Sequence, residues 1–154
     1  MTLSDLIRQD RFASPAHEAL LNVIATASWI STEMAAALAP FGVTQAQYNV
    51  LRILRGRHPN QYACSEIGER LLDRTPDVTR LLVRLESRGL IKRERAAHDR
   101  RVVEVEITDE GLEVLSQLDG PVNASMERIG GHLSETDLIR LSQLLETLRT
   151  DQTD

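Results

Sequence analysis

The stretch TPDVTRLLVRLESRGLIKRERAAHDRRVVEVEIT, residues 75–108, determines the predicted fold, and its first half indicates an amphipathic helix. Thr75, Pro76 and Asp77 form a strong helix start, because a hydroxyl cap, a proline in the first turn and an acid each suit a helix N-terminus. Gly89 supplies the left-handed stop. At 100° per residue one face is apolar and the opposite face is polar. The apolar face holds Val78, Leu81, Leu82 and Leu85, and the polar face holds Asp77, Arg80, Arg84 and Ser87.

The second half of the stretch predicts a β-hairpin whose tip is basic. Residues 90–95 and 101–108 are expected to be its strands, since apolar residues alternate with glutamates from 103 to 107 in the period of a half-exposed strand. Asp99 is expected to accept hydrogen bonds from turn amides and to pair with Arg101, which would stiffen the tip. The basic residues near the tip are Arg95, His98, Arg100 and Arg101.

Further helices are expected on both sides of this stretch. Residues 65–72 predict a short helix before a turn at 73–74, so that it forms a helix–turn–helix with the helix at 76–88, and the second helix of such a motif fits the major groove of DNA. The remaining expected elements are a helical turn within 1–14, a long helix from Ser14 to about Ala39, a helix from the Thr44 capping box to Gly56, a loop at 57–62, a helix from Thr108 that is interrupted at Gly120-Pro121, and a last helix capped by Ser134.

Positive charge is concentrated in this region although the chain as a whole is acidic. Residues 74–101 contain nine basic and four acidic side chains, a net charge of +5, whereas the 154-residue chain carries −5. Such a local field attracts a polyanion, and arginines one helical turn apart suit phosphate oxygens and a guanine edge. Arginine on a thin hairpin suits a narrow minor groove. The alternative is a solvated basic face. Arg74, Arg88, Lys92 and Arg93 are interpreted as general phosphate attractors or plain surface.

Composition excludes several classes of protein. A hydrophobic content of 42% allows a real core in one domain, with or without an oligomerisation arm. The single cysteine, Cys64, excludes an intramolecular disulfide, and the four scattered histidines lack metal-ligand spacing, so no cofactor or metal is expected. No nucleophile–base pair or glycine-rich phosphate loop is present, which argues against an enzyme. The charged N-terminus and the lack of a membrane-length apolar run predict a cytoplasmic protein.

Five segments spread over nearly the whole chain carry a family resemblance: VTQAQYNVLRIL, SEIGERL, VTRLLVRLESRGLIKRE, HDRRVVEVEITDEG and LSETDLIRLSQLLETL. Together they resemble the MarR family of bacterial transcriptional regulators. The resemblance implies a mainly α fold with a small antiparallel β wing, in which a winged helix–turn–helix lobe at 43–108 is joined to a dimerisation domain formed by residues 1–42 and 109–154. It also implies a homodimer that binds a pseudo-palindromic operator in double-stranded DNA, represses nearby genes and releases DNA on binding a small aromatic or phenolic acid.

The same resemblance assigns residues to the DNA interface. The positions that match the recognition-helix contacts of the family are Thr75, Asp77, Thr79, Arg80 and Arg84, and those that match its wing are Arg100 and Arg101. Arg95 and His98 join this set through their place at the tip. The chain departs from the family pattern in two places. Gly68 stands where alanine is common, and Gly120-Pro121 falls inside a normally continuous dimerisation helix, which implies a kink or break there.

An effector pocket and two alternative functions remain open. In the family the pocket lies between the dimer helices and the DNA-binding lobe, so its candidate lining residues are Ser28, Trp29, Thr32, Tyr48 and Arg52. Packing in the dimer core is the alternative for Trp29. Cys64 raises the alternative of a redox-responsive regulator, although a lone cysteine more often behaves as a small buried hydrophobe. The other alternative is a winged-helix module that binds protein, which would need an apolar or acidic patch where this chain carries arginine.

Overall fold

The computed structural model describes residues 2–9, 11–72 and 77–150 of the chain. Within them, seven α-helices and a small antiparallel sheet form a winged-helix architecture, which confirms the predicted fold class. The helices are α1 (Leu3–Ile7), α2 (Pro15–Leu38), α3 (Gln45–Arg55), α4 (Cys64–Arg70), α5 (Val78–Ser87), α6 (Asp109–Gly130) and α7 (Glu135–Leu148). The strands are β1 (Tyr62–Ala63), β2 (Ile91–Arg95) and β3 (Val103–Ile107), and a 3₁₀ turn at Ala39–Phe41 separates α2 from α3.

Four helices begin at the capping side chains that the sequence indicated. In each case a hydroxyl oxygen accepts a hydrogen bond from a backbone N–H that the helix itself leaves unsatisfied. The clearest case is the capping box of α3, in which Thr44 accepts from the backbone N–H of Gln47 and the Gln47 side chain accepts from the backbone N–H of Thr44. The four capping residues are Ser14, Thr44, Thr108 and Ser134.

The predicted interruption at Gly120-Pro121 is wrong, because α6 runs unbroken with Pro121 in its interior. A proline in a helix interior costs about 3 kcal/mol in intrinsic propensity. The compensation is tertiary. Leu115 and Leu118 before the proline and Val122 after it are buried, so both halves of α6 are held in the same core. Packing of an amphipathic face, which supplies most helical stability in proteins, outweighs the local signal here.

Two boundaries in the helix–turn–helix region also differ from prediction. Helix α5 begins at Val78 with Asp77 as its N-cap, because the Asp77 carboxylate accepts from the backbone N–H of Arg80 at 3.1 Å. Thr75, the predicted cap, lies outside the described residues. The segment expected to be only a loop ends in β1, whose Tyr62 pairs with Val105 of β3.

The sheet has the strand order β1-β3-β2 and is antiparallel throughout. Between β2 and β3 the register runs from Ile91 opposite Ile107 to Arg95 opposite Val103. Ile91, Val105 and Ile107 are buried, whereas Arg95 and residues 97–101 at the other end of the hairpin are exposed. The hairpin is therefore anchored at its base and leaves its basic end in solvent, as the alternating pattern predicted.

One hydrophobic core joins α3, the helix–turn–helix, the base of the hairpin, the end of α2 and α6 as far as Val122. Its largest fully buried side chains are Leu38, Leu51, Leu54, Ile67, Leu82, Leu85, Leu115 and Leu118. Because Leu82 and Leu85 insert into this core from α5, the rotation of α5 about its own axis is fixed. The residues opposite them must face outward.

Helix α6 meets the hairpin at Gly111, where two backbones approach too closely for a side chain. A Cβ at position 111 would lie 2.2 Å from the carbonyl oxygen of Leu90 and 2.7 Å from Cγ1 of Ile107. Thr108, which caps α6, strengthens the same junction: its hydroxyl donates to the carbonyl of Gly89 at 2.6 Å and its N–H donates to the carbonyl of Leu90 at 3.1 Å. The Thr-x-x-Gly spacing therefore joins the start of α6 to the segment that follows α5.

Helix α7 has no buried side chain. Its apolar residues are exposed along the helix, and further exposed apolar residues lie on α1 and α2. These residues are Leu6, Ile7, Leu20, Val23, Ile24 and Trp29 on the first two helices and Leu138, Ile139, Leu141, Leu144 and Leu148 on α7. An apolar surface of this extent marks an interaction site. No helix in the described ranges is long and apolar enough to cross a membrane.

Candidate nucleic-acid interface

The outward face of α5 is the first half of the candidate interface. Thr79, Arg80, Val83, Arg84 and Ser87 are exposed on this helix, opposite the buried leucines. The helix thus presents two guanidinium groups, two hydroxyls and one branched apolar side chain to the surroundings. Side chains of these types can contact phosphates and base edges in a major groove.

Arg80 and Arg84 differ in what holds them. The Arg80 Nε lies 3.2 Å from an Asp77 carboxylate oxygen, and 82% of the Arg80 side chain is exposed. The Asp77 carboxylate therefore contacts Arg80 twice. It caps the helix by accepting from the backbone N–H of Arg80, and it pairs with the Arg80 guanidinium. Arg84 has no ion-pair partner in the part of the chain that the structure describes. Its five N–H donors remain available to an external acceptor.

The second half of the interface is the tip of the β2–β3 hairpin. Residues 99–102 form a tight turn in which the N–H of Val102 donates to the carbonyl of Asp99 at 3.0 Å. The Asp99 carboxylate accepts from the backbone N–H of Arg101 at 2.9 Å. The prediction that Asp99 stiffens the tip through a turn amide is confirmed. The predicted Asp99–Arg101 ion pair is wrong for this structure, because the carboxylate contacts the backbone of Arg101 and no ion pair joins the two described side chains.

The remaining tip residues keep their charge at the surface. Arg95 folds back from the end of β2 so that its Nη1 donates to the carbonyl of Arg100 at 2.9 Å, which brings its guanidinium beside the turn. His98, Arg100 and Arg101 are exposed. The structure therefore brings all four basic tip residues together.

Three basic residues interpreted as phosphate attractors or plain surface have internal partners instead. Arg93 of β2 donates to Glu86 of α5, with Nε 2.8 Å from the carboxylate, and this hydrogen bond lowers the pKa of the Glu86 carboxyl. Lys92 pairs with Glu94, 2.6 Å away, and that hydrogen bond raises the pKa of the lysine. Arg88 donates to backbone carbonyls at positions 41 and 42, at 3.1 and 2.6 Å. The contacts of Arg93 and Arg88 fasten α5 to β2 and to the turn before α3, whereas the Lys92 pair lies within β2.

Two further basic residues cluster around the Tyr62 ring, and no pattern in the sequence predicted this cluster. The guanidinium carbons of Arg57 and Arg70 lie 4.5 and 4.9 Å from the centre of the Tyr62 ring. A hydrogen bond from Arg70 lowers the pKa of the Tyr62 hydroxyl. The positive charge of Arg70 acts in the same direction, and desolvation of the hydroxyl opposes it. Because Tyr62 belongs to β1 and Arg70 to α4, cation–π contacts connect the start of the helix–turn–helix to the sheet.

Cys64 lies in a shallow cleft between α4, α5 and the hairpin. The cleft has a volume of about 300 Å³ and is lined by Thr79, Arg101 and Val102 as well as by the half-buried cysteine. In the described parts of the chain no three His, Cys, Asp or Glu side chains are grouped closely enough to hold a metal ion.

The predicted effector residues occupy two separate regions of the single chain. Trp29 lies on the edge of an open cavity of about 690 Å³ between α1, α2 and the turn after α6, which His132 also lines. Arg52 lines a different depression and lies 5.8 Å from the centre of the Tyr48 ring, which is only 5% exposed. Ser28 and Thr32 are exposed on α2, where the Thr32 hydroxyl donates to the carbonyl of Ser28.

Comparison with known proteins gives consistent results. A family model described as "MarR family" matches residues 41–102. The chain is 33% identical over 119 residues to the HTH-type transcriptional repressor MdtR of Bacillus subtilis strain 168, which covers 77% of this chain and 76% of the relative. It is also similar to the crystal structure of a MarR transcription factor from Planctomyces limnophilus, with 40% identity, a TM-score of 0.70 and coverage of 89% of this chain and 99% of the other.

A third similarity concerns fold alone. The crystal structure of a mutant MarR from E. coli, complexed with operator DNA, superimposes with a TM-score of 0.74 at 24% identity, over 82% of this chain and 89% of that one. At 24% identity this similarity shows a shared architecture and nothing more. The arrangement of helices and hairpin described above is therefore one that also occurs in a DNA-bound protein.

Proposed function

The chain belongs to the MarR family of transcriptional regulators, and on this premise we propose that it binds double-stranded DNA as a homodimer and represses genes near a pseudo-palindromic operator. A small aromatic or phenolic acid is proposed to release it. The proposed repressor role is supported by the similarity to the transcriptional repressor MdtR. The proposed DNA partner is supported by the structural similarity to the E. coli protein in complex with operator DNA.

The observation that carries the proposal is the joint exposure of cations on α5 and on the hairpin. Arg84, Arg100 and Arg101 are exposed and make no ion pair with any other described residue. Arg80 is 82% exposed although Asp77 contacts it. The protein is anionic overall, so this concentration of solvated guanidinium groups on two neighbouring elements is best explained by an external polyanion. The helix supplies a major-groove reader and the hairpin supplies a second contact beside it.

The homodimer is supported by the apolar surface that one chain leaves in solvent. Helix α7 buries none of its leucines, and exposed apolar residues of α1 and α2 extend the surface. Burial of such a surface is the dominant favourable contribution to association. A two-fold dimer would also place two copies of the reading helix on one duplex, which is what a pseudo-palindromic site requires.

The effector part of the proposal rests on two openings in the surface of the chain. The cavity beside Trp29 falls within the size range of small-molecule sites, and it opens on the surface that we assign to the dimer. The depression at Arg52 would offer a cation to a carboxylate. Thermal-shift screening of phenolic and carboxylic ligands, followed by a DNA-release assay with each hit, tests this part directly.

The main experiment measures binding to duplexes selected from a random pool, as a function of salt. Affinity should fall steeply with salt, with a log–log slope of about −0.9 for each phosphate that is neutralised. Arg84→Ala should weaken binding by about 1–3 kcal/mol and relax the preference at one base pair, if Arg84 contacts a base edge. Arg140→Ala is the matched control, since Arg140 is exposed on α7 and its removal changes the net charge equally.

Three outcomes separate the alternatives. An equal loss of affinity on all sequences would reduce Arg84 to a phosphate contact. Failure to retain any duplex at low salt would favour the protein-binding winged-helix module. Release of DNA by oxidant in the wild type, but not in Cys64→Ser, would favour the redox-responsive regulator.

A further inference from the structure

Val83 is an apolar side chain on an otherwise polar reading surface. It is 47% exposed, whereas Leu81, Leu82 and Leu85 of the same helix are buried. In the described part of the lobe, Leu72 is the only other large apolar side chain that is exposed. The helical wheel of the sequence contains the signal, because position 83 falls outside the apolar face formed by positions 78, 81, 82 and 85.

The neighbours of Val83 show what kind of surface it belongs to. At 100° per residue Val83 lies between Thr79 and Arg80 in angle, one turn further along α5, and Arg84 adjoins it. Both arginines lie on the same side of Val83 around the helix, about 60° and 100° away, and Thr79 borders it on the other side. Apart from Leu72, the other exposed large apolar side chains in the described residues belong to α1, α2, α6, α7 and the turn between α6 and α7, so the apolar surface assigned to the dimer does not account for Val83.

The chemistry of the major groove narrows the possible target. Base edges there present hydrogen-bond donors and acceptors, and their one apolar feature is the C5-methyl group of thymine. The arginines beside Val83 would hold the duplex close by contacts to phosphate or guanine, while the valine itself can make no hydrogen bond. Valine is also stiff about χ1, so it presents its two methyl groups without a large loss of side-chain entropy.

We propose that Val83 is a specificity-determining residue that contacts a thymine methyl group in each half of the bound site. This inference rests on the proposed function, since it names what one residue of the same interface reads. It predicts a preference for thymine at one symmetric position of the selected site. It also predicts that the preference belongs to the methyl group and not to the hydrogen-bonding edge.

The test combines a protein variant with a single-group change in the DNA. Binding sites are selected from random duplexes with the wild-type protein. Each invariant thymine is then replaced by deoxyuridine, which removes the methyl group alone. At one symmetric pair of positions we expect the wild-type Kd to rise about fourfold for each methyl group lost, and about fifteenfold for the pair. Val83→Ala should bind the thymine and deoxyuridine duplexes equally at that pair.

Two controls keep the result interpretable. Val83→Ala removes an exposed side chain and has the higher helix propensity, so it should fold as the wild type does, which circular dichroism can check. Thr79→Ser removes a methyl group from the same exposed face. This variant should keep the wild-type sensitivity to deoxyuridine at the Val83 pair.

The outcomes distinguish this inference from the proposed function. If the protein selects no duplex, the proposed function fails. If it selects a site that contains no invariant thymine, or if Val83→Ala keeps the full preference for thymine over deoxyuridine at every position, Val83 does not read a methyl group and DNA binding itself stands. Loss of the preference at one pair in Val83→Ala alone supports the inference.

Discussion

Replacement of Gly111 by alanine should destabilise the protein, because the added methyl group would overlap a backbone. The Cβ would lie 2.2 Å from the carbonyl oxygen of Leu90, and contacts of this kind are not found below 3.0 Å, so the two segments must separate by about 0.8 Å. The obstacle is main chain and cannot rotate away. Movement would also strain the hydrogen bond from the Thr108 N–H to the same carbonyl, now 3.1 Å long.

The size of the effect follows from opposing contributions. Overpacking typically costs about 1–3 kcal/mol, and weakening of one hydrogen bond adds about 1 kcal/mol. The gain in helix propensity from glycine to alanine returns about 1 kcal/mol. The net expectation for Gly111→Ala is a free energy of unfolding lower by roughly 1–3 kcal/mol. For a chain of this length that corresponds to a fall in Tm of about 2–12 °C.

The matched control lies in the same helix. At Gly130 of α6 a Cβ would meet only side-chain atoms of Leu138, at 3.9 Å, which is ordinary contact. Gly130→Ala should therefore leave the Tm unchanged or raise it. Thermal and urea unfolding of the wild type and both variants should be compared at one protein concentration, since the proposed dimerisation would make stability concentration-dependent. If Gly111→Ala were as stable as Gly130→Ala, the junction between α6 and the hairpin would not be the rigid contact that we describe.

Three further predictions concern other contacts. Arg88→Ala should lower the free energy of unfolding by about 1 kcal/mol in urea titration. Arg88→Lys should not restore it, because one ammonium group cannot reproduce the two N–H donors of the guanidinium. Wild-type stability in the alanine variant would contradict this prediction. The pKa of Glu86 is lowered by Arg93, so its stabilisation is complete above the ordinary carboxyl pKa and is lost as the pH falls through the lowered value. Unfolding of Glu86→Gln between pH 5 and about pH 2 should therefore depend less on pH than that of the wild type, and parallel profiles would exclude the pair as a contributor. Leu141→Asp should shift sedimentation toward the monomer and weaken DNA binding, while Arg140→Asp on the same helix should not; a dimeric Leu141→Asp would move the interface elsewhere.

Local chemistry explains which parts of the fold could be predicted. Helix starts at Ser14, Thr44, Thr108 and Ser134 were predictable because a cap and its partner lie within three residues of each other. Strand β1 was not, since two residues are too few to show alternation. The continuity of α6 through Pro121 was missed for a different reason: the buried residues that hold the helix together act through tertiary packing, which a local proline signal does not contain.

The candidate interface divides in the same way. The exposure of Arg80 and Arg84 followed from the helical period, and Val83 could have been found from the same wheel. The contacts of Arg88 and Arg93 could not be predicted, because their partners lie on other elements of the fold. The carbonyls that Arg88 contacts are 46 and 47 residues away in sequence. The count of charges therefore did not indicate that these two arginines have partners within the lobe.

The attachment of α5 to its surroundings limits how the protein can be switched. Arg88 ties the end of the helix to the turn before α3, Glu86 ties it to Arg93 of the hairpin, and the carbonyl of Gly89 accepts from the cap of α6. Helix and hairpin must then tilt or translate as one solid piece. In the proposed homodimer an effector would find little freedom inside a lobe, and it could adjust only the separation of two such pieces across the two-fold axis.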